Sequence, residues 1–455
     1  MALSASPDDR ARHGRAQRKR LPRSAHDRVP GADARPDPVA VLAEQGTGRL
    51  PDLLPLRYAR MAAGPFPFLR GAAAVMAADL ATTADSGLRV QLCGDAHLLN
   101  FGLYASPERA LLFDLNDFDE TLPGPFEWDV KRLAASVAVA ARANGHDDTA
   151  AASAAEASAA AYRRNIRRLA GLGELAVWYE RVDTAQVLPL VRRRHREQVA
   201  AGLERARRRT SLQALDKLTD VVEGRPRIRY EPPLLEPVDD LDAATVRSVF
   251  ADYRESLPEE RRLLLDRFEV VDVARKVVGV GSVGTRCFVV LLTGRDSRDP
   301  LFLQIKEAGP SVLEPHAGAS AHRHAGHRVV AGQRLIQAAA DIFLGWATGP
   351  GGRHFYWRQL RDMKGAADVA GMDPLMLHEY ASLCGRTLAR AHARTGDRIA
   401  IAGYLGTGDV FDRAVARFAL AYADLTLADH AALTAALTDT PTPSHAARPS
   451  PKGSG

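Results

Sequence analysis

The stretch "FEVVDVARKVVGVGSVGTRCFVVLLTGRDSRDPLFLQIKEA", Phe268–Ala308, decides the fold. Its β-branched and aromatic runs are bounded by glycines and by a charged turn. It therefore reads strand, glycine turn, strand, polar hairpin, strand. Gly279, Gly281 and Gly284 stand as G-x-G-x-x-G. A dinucleotide-binding version of that spacing leads into a helix, whose N-terminus receives the pyrophosphate. Here it leads into "TRCFVVLL", Thr285–Leu292, which favours a strand. Backbone without Cβ atoms lets phosphate approach closely, with Ser282 among the candidate contacts. One strand later, in "LFLQIKEA", Lys306 stands alone amid apolar residues, placed to offer an ammonium to the same phosphates.

Upstream, "QLCGDAHLLNFG" (Gln91–Gly102) follows an apolar run, and "FDLNDFDE" (Phe113–Glu120) adds four acids. Asp95 and Asn100 are five apart, and Asp114 follows Asn100 by fourteen, at the end of the apolar "ALLF". Strand, glycine turn, strand and lysine resemble the nucleotide-binding part of protein kinases. The D-x-x-x-x-N spacing resembles their catalytic loop, in which the Asp accepts a hydroxyl proton and the Asn holds a metal.

"GDAHLLNFG", "LLFDLNDFD" and "WDVKRLAAS" together resemble the H-G-D-x-H-x-x-N, I-D-F-x-D and D-L-A pattern of aminoglycoside and choline phosphotransferases. That resemblance implies ATP and Mg2+ as cofactors. Asp95 would be the base, His97 a loop organiser, Asn100 and Asp114 the metal ligands with Asp117 beside them. Gly279, Gly281, Ser282, Gly284 and Lys306 would bind the nucleotide, and Asp129 would brace the catalytic loop. Two positions depart from the pattern. Cys93 stands where a His is usual, and the helix "HRVVAGQRLIQAAADIF" carries no Glu for Lys306, leaving Glu307 and Glu314 as substitutes. Residues 50–435 also resemble an uncharacterised bacterial family, domain of unknown function 2252, to which no activity attaches.

The order of these parts is reversed relative to kinases. The glycine turn and lysine follow the catalytic loop by well over a hundred residues, and "LARAHA" (Leu388–Ala393), resembling the helix that leads into that loop, lies near the C-terminus. One circular permutation explains the order, since folded domains often have neighbouring termini. The expected fold is α+β: a protein-kinase-like bilobal fold, circularly permuted. Residues 1–38 are expected as a disordered basic tail and 39–260 as a mainly helical lobe with the catalytic and metal loops. A small β-rich nucleotide lobe over 261–370, completing helices over 371–438 and a disordered tail over 439–455 follow.

The chain has 455 residues, 46% hydrophobic and 25% charged, with a net charge of +6. These are ordinary values for a globular protein. The positive excess sits in arginine clusters without a nucleic-acid-binding signature, so a nucleic-acid partner is not expected. Three scattered cysteines exclude a disulfide framework and point to a reducing, cytoplasmic compartment. No apolar run is long enough to span a membrane. The expected activity is phosphotransfer to a small hydroxylated molecule. Two other readings stay open. Asp95, His97, Asp114, Asp117 and Asp119, with His316, His322, His324 and His327, could serve a metal-dependent phosphoesterase. A non-catalytic nucleotide-binding protein would use the same fold without turnover.

Overall fold

The computed structural model describes residues 5–238, 243–277, 279–360 and 363–439. The chain is mixed α+β. Helix α1 (Pro7–Ala16) and short helices up to residue 81 lead to strands β1 (Arg89–Leu92), β2 (Phe101–Ala105), β3 (Leu111–Leu115) and β4 (Leu122–Pro125). Long helices α2 (Phe126–Ala143) and α3 (Asp148–Ala170) follow, then α4 (Arg193–Arg207), β5 (Leu235–Pro237) and α5 (Ala243–Glu255). Strands β6 (Glu269–Lys276), β7 (Cys287–Thr293) and β8 (Pro300–Glu307) precede helix α6 (Ala325–Ile336), strands β9 (Gly345–Thr348) and β10 (His354–Gln359), and the short β11 (Gly365–Ala366). Helices α7 (Pro374–Ala393), α8 (Arg398–Leu405) and α9 (Val410–Asp439) complete the described chain. No helix among the described residues is long and apolar enough to cross a membrane.

Six strands form one antiparallel sheet in the order β9-β10-β8-β7-β6-β5. Alternation along β8 sorts its side chains. Leu301, Leu303 and Ile305 join Tyr253 and Leu257 in one core, while Gln304 and Lys306 point to the opposite face. The sheet layer begins earlier than residue 261. Helix α5 packs on β9, and a hairpin over 219–228 contributes Ile228 to a core with Ala274 and Val289. These segments read as part of the helical lobe, yet their apolar residues have the sheet's outer surface to cover.

β1 pairs with β4, and β2 with β3 across the Ser106–Ala110 turn, with β11 added at the other edge of β2. The large core lies beneath, between α2, α3 and α7. Residues 5–38, expected as a disordered tail, are instead ordered. Gly14 of α1 approaches α8 so closely that a Cβ there would sit 1.8 Å from the Ala400 carbonyl oxygen. Arg18 donates to the carbonyls of Gly403 (2.6 Å) and Tyr404 (2.8 Å), and Arg23 to that of Leu405 (2.6 Å). These are the carbonyls a helix C-terminus leaves unpaired, and cations suit its dipole. Part of the basic composition that suggests a tail is thus engaged at the end of α8. The tail expected over 439–455 lies outside the described residues from residue 440 onward.

Candidate active site

Lys306 is 2% exposed and lies opposite Tyr356 of β10 in register, so both side chains leave the sheet on the same face. They converge on one carboxylate. The Lys306 Nζ donates to Asp119 Oδ2 at 2.6 Å, and the Tyr356 hydroxyl to Asp119 Oδ1 at 2.7 Å. Ser282, in the glycine turn, reaches the same Oδ2 at 3.4 Å. Asp117 Oδ2 lies 3.6 Å from the ammonium. One pair further along, Arg358 donates to Gln304 (3.0 Å) and to the Asn116 carbonyl (2.9 Å). Segments 187 positions apart in the chain thus meet in one polar cluster.

Burial opposes the charge on Lys306, but the carboxylates of Asp117 and Asp119 outweigh it and raise its pKa well above the ordinary value. For Asp119, burial is likewise outweighed by the ammonium, which holds the carboxyl at about 2. Burial and the neighbouring Asp119 raise the pKa of Asp117. Its side chain remains 45% exposed, which tempers the burial contribution and leaves its oxygens within reach of a ligand.

The glycine turn joins β6 to β7. Gly279 (φ 48°) and Gly284 (φ 89°) occupy the left-handed region that glycine tolerates. Three contacts hold the turn: Leu50 N–H to the Gly284 carbonyl (2.7 Å), Arg49 to that of Val283 (2.6 Å), and Arg60 to that of Gly279 (3.0 Å). Gly281 lies against the Arg70 carbonyl. The neighbouring carbonyl, that of Leu69, accepts from Arg132 (2.6 Å), whose guanidinium also pairs with Asp95 at 2.7 Å. The turn and the Asp95 loop are therefore anchored to the same segment.

Asp95 keeps its second oxygen 3.8 Å from His97 Nε2, and its side chain is 22% exposed. Burial, with Arg70 and Arg132 adding to it against Asp95, pushes the His97 pKa down to about 4, so the ring is neutral at pH 7. Asp129, at the start of α2, accepts from the N–H groups of Cys93 (2.7 Å) and Gly94 (3.0 Å) and from His392 (3.1 Å). Those bonds fix the backbone just before Asp95. Gly94 has φ 88°, which the sharp exit from β1 requires.

Asn100 and Asp114 are consumed internally. The Asn100 amide donates to the carbonyls of Asp95 (2.9 Å) and Asp117 (3.0 Å), and its oxygen accepts from Asp117 N–H at 2.6 Å. It ties the two loops together. Asp114 is 1% exposed and holds Arg390 (2.5 Å) and the Ala338 N–H (2.9 Å), out of ion-pairing reach of Lys306. The carboxylates that face Lys306 are those of Asp117 and Asp119, just beyond β3, while that of Asp114 faces Arg390. Neither Glu307 nor Glu314 replaces the absent helix carboxylate. Glu307 meets Arg286 and Arg353, and Glu314 lies 3.9 Å from Arg328. Arg328 of α6 instead donates to the carbonyls of Asp119, Thr121 and Gly309. Cys93, in the usual His position, is buried between Asn100 (3.2 Å) and the Asp117 carbonyl (3.3 Å). His327 stacks on Trp346 and packs at a tilt against His322, while His324 stacks on His354.

The profile of a family described as an uncharacterised protein conserved in bacteria, domain of unknown function 2252, matches residues 49–436. The chain belongs to this family. The matched span opens at Arg49, which holds the glycine turn, and takes in every residue of this cluster. No curated protein and no solved structure matches the chain.

Proposed function

We propose that this chain is an ATP- and Mg2+-dependent phosphotransferase of permuted kinase-like design, acting on a hydroxyl group of a small molecule. The observation that carries the reading is the convergence of Lys306, Tyr356 and Ser282 on Asp119. The sheet supports it: a glycine turn joins β6 to β7, the lysine lies on β8, and α6 intervenes before β9 and β10. The permutation has support in Thr395, just past α7, whose hydroxyl accepts from Gln91 N–H at 3.0 Å. The end of "LARAHA" therefore abuts the strand leading into Asp95.

The donors fit the cofactors. Asp117 and Asp119 offer hard oxygens, and among the described residues no three His, Cys, Asp or Glu side chains gather as a metal site. Two carboxylates suit an ion that retains waters and phosphate oxygens. When bound, ATP supplies the phosphoryl group and Mg2+ neutralises its charge. Lys306 and the glycine turn would hold its phosphates, Asp95 would accept the acceptor's proton, and Arg132 would fix the orientation of Asp95. Asp95→Asn should lower ADP release from MgATP, across a panel of sugars, polyols and amino alcohols, at least about 100-fold. Nucleotide affinity should stay within about twofold, and an unchanged rate would remove Asp95 as the base. The absence of a carboxylate on α6 favours a second reading, nucleotide binding without turnover. MgATP binding with no ADP release across the panel would select it.

A further inference from the structure

A cavity of about 890 Å³ opens between α3, α4 and α7, floored by β2 and β11. None of Asp95, Asp117, Asp119 or Lys306 lines it. Its volume falls within the range of roughly 300–1,000 Å³ that small-molecule sites occupy. Phe113, Leu203, Ala206, Met376 and Leu383 give it apolar walls. Its rim carries arginines of two kinds. Some already have partners: Arg168 meets Glu180 (2.7 Å), Arg192 meets Glu379 (2.6 Å), and Arg209 donates to the Lys364 carbonyl (2.9 Å). Arg164 and Arg205 are exposed and have no ion-pair partner among the described residues. Apolar walls under uncommitted guanidinium groups are complementary to one ligand chemistry, an apolar body with an anionic head.

We propose that this cavity binds a small amphipathic anion, its hydrocarbon part against Phe113, Met376 and Leu383 and its carboxylate or phosphate at Arg164 and Arg205. The pocket adjoins the catalytic loop through Tyr380. Its ring packs edge-on against Phe113 (5.8 Å), and its hydroxyl donates to the carbonyls of Leu98 (3.2 Å) and Phe101 (3.0 Å). An occupant therefore touches the side chain that holds those carbonyls.

Isothermal titration of the full chain with octanoate, octyl phosphate and 1-octanol tests the proposal without nucleotide. Either anion should bind at least about tenfold more tightly than the neutral alcohol, and their order identifies the preferred head group. The double variant Arg164→Glu, Arg205→Glu should weaken the anion by about tenfold or more and leave the alcohol unchanged. Both side chains are exposed, so folding is not at risk. Leu383→Trp, checked for native circular dichroism, should weaken all three ligands by occupying the cavity. Equal binding of alcohol and anions, an unaltered anion affinity in the double variant, or no binding of either anion would overturn the proposal.

Discussion

Asp114, in β3, and Asp117, just beyond it, are three positions apart, yet their surroundings differ. Asp114 is sealed with Arg390, whose Nε and Nη1 have no other partner. Asp114→Ala should cost about 3–5 kcal/mol of stability, because a buried guanidinium loses its counter-ion. Asp117→Asn should change stability by no more than about 1 kcal/mol, its side chain being partly solvated, while lowering Mg2+-dependent nucleotide affinity. Chemical denaturation and nucleotide titration of both variants separate the roles, and a reversed pattern would restore Asp114 as the metal ligand. Local spacing pointed to Asp114, since it closes an apolar strand. Its ion pair with Arg390, 276 residues away, is something no local pattern reveals. Arg132, Arg328 and Tyr356 escaped sequence reading for the same reason, whereas Asp95, Lys306 and Asp129 were legible from motif and strand context. His97 adds a pH signature. Its folded pKa lies near 4 against an ordinary 6.5, so its contribution is intact above pH 6.5 and is lost as pH falls toward 4. Urea unfolding across that window should show up to about 3 kcal/mol less decline for His97→Gln than for the parent. Parallel declines would mean the ring is already solvated.

At the scale of elements, β-branched runs and turn residues located the strands around the glycine turn. Sequence reading overextended α6. Its alanine-rich continuation Ala338–Ala340 favours helix, yet the helix stops at Ile336. There the Gln337 side chain donates to the Leu115 carbonyl (2.6 Å) and the Ala338 N–H turns to Asp114. Tertiary hydrogen bonds outweigh a propensity of a few tenths of a kcal/mol per residue. The packing of α3 on α7 has its own test. A Cβ at Gly385 would lie 2.0 Å from the Ser158 carbonyl oxygen, so Gly385→Ala must push two long helices apart. A loss of about 1–3 kcal/mol is expected, lowering the melting temperature by roughly 1 °C for each kcal/mol. An unchanged melting temperature would mean that the helices are less tightly apposed.

Over the whole molecule, the reversed order of motifs was readable from the sequence, but the place of the N-terminal arm was not. Its arginines carry no apolar periodicity, and only the folded chain shows them meeting the carbonyls at the end of α8 and, through Arg35, the buried pair Asp79 and Asp429. The proposed phosphotransfer requires ATP to bind beside Lys306 and the Asp117–Asp119 loop. The direct measurement is calorimetric titration of ATP into the full chain, with and without Mg2+, beside Lys306→Met. Saturable, Mg2+-dependent binding that Lys306→Met weakens about tenfold or more is the predicted result. No binding with Mg2+ present, or the same affinity in Lys306→Met, would contradict it.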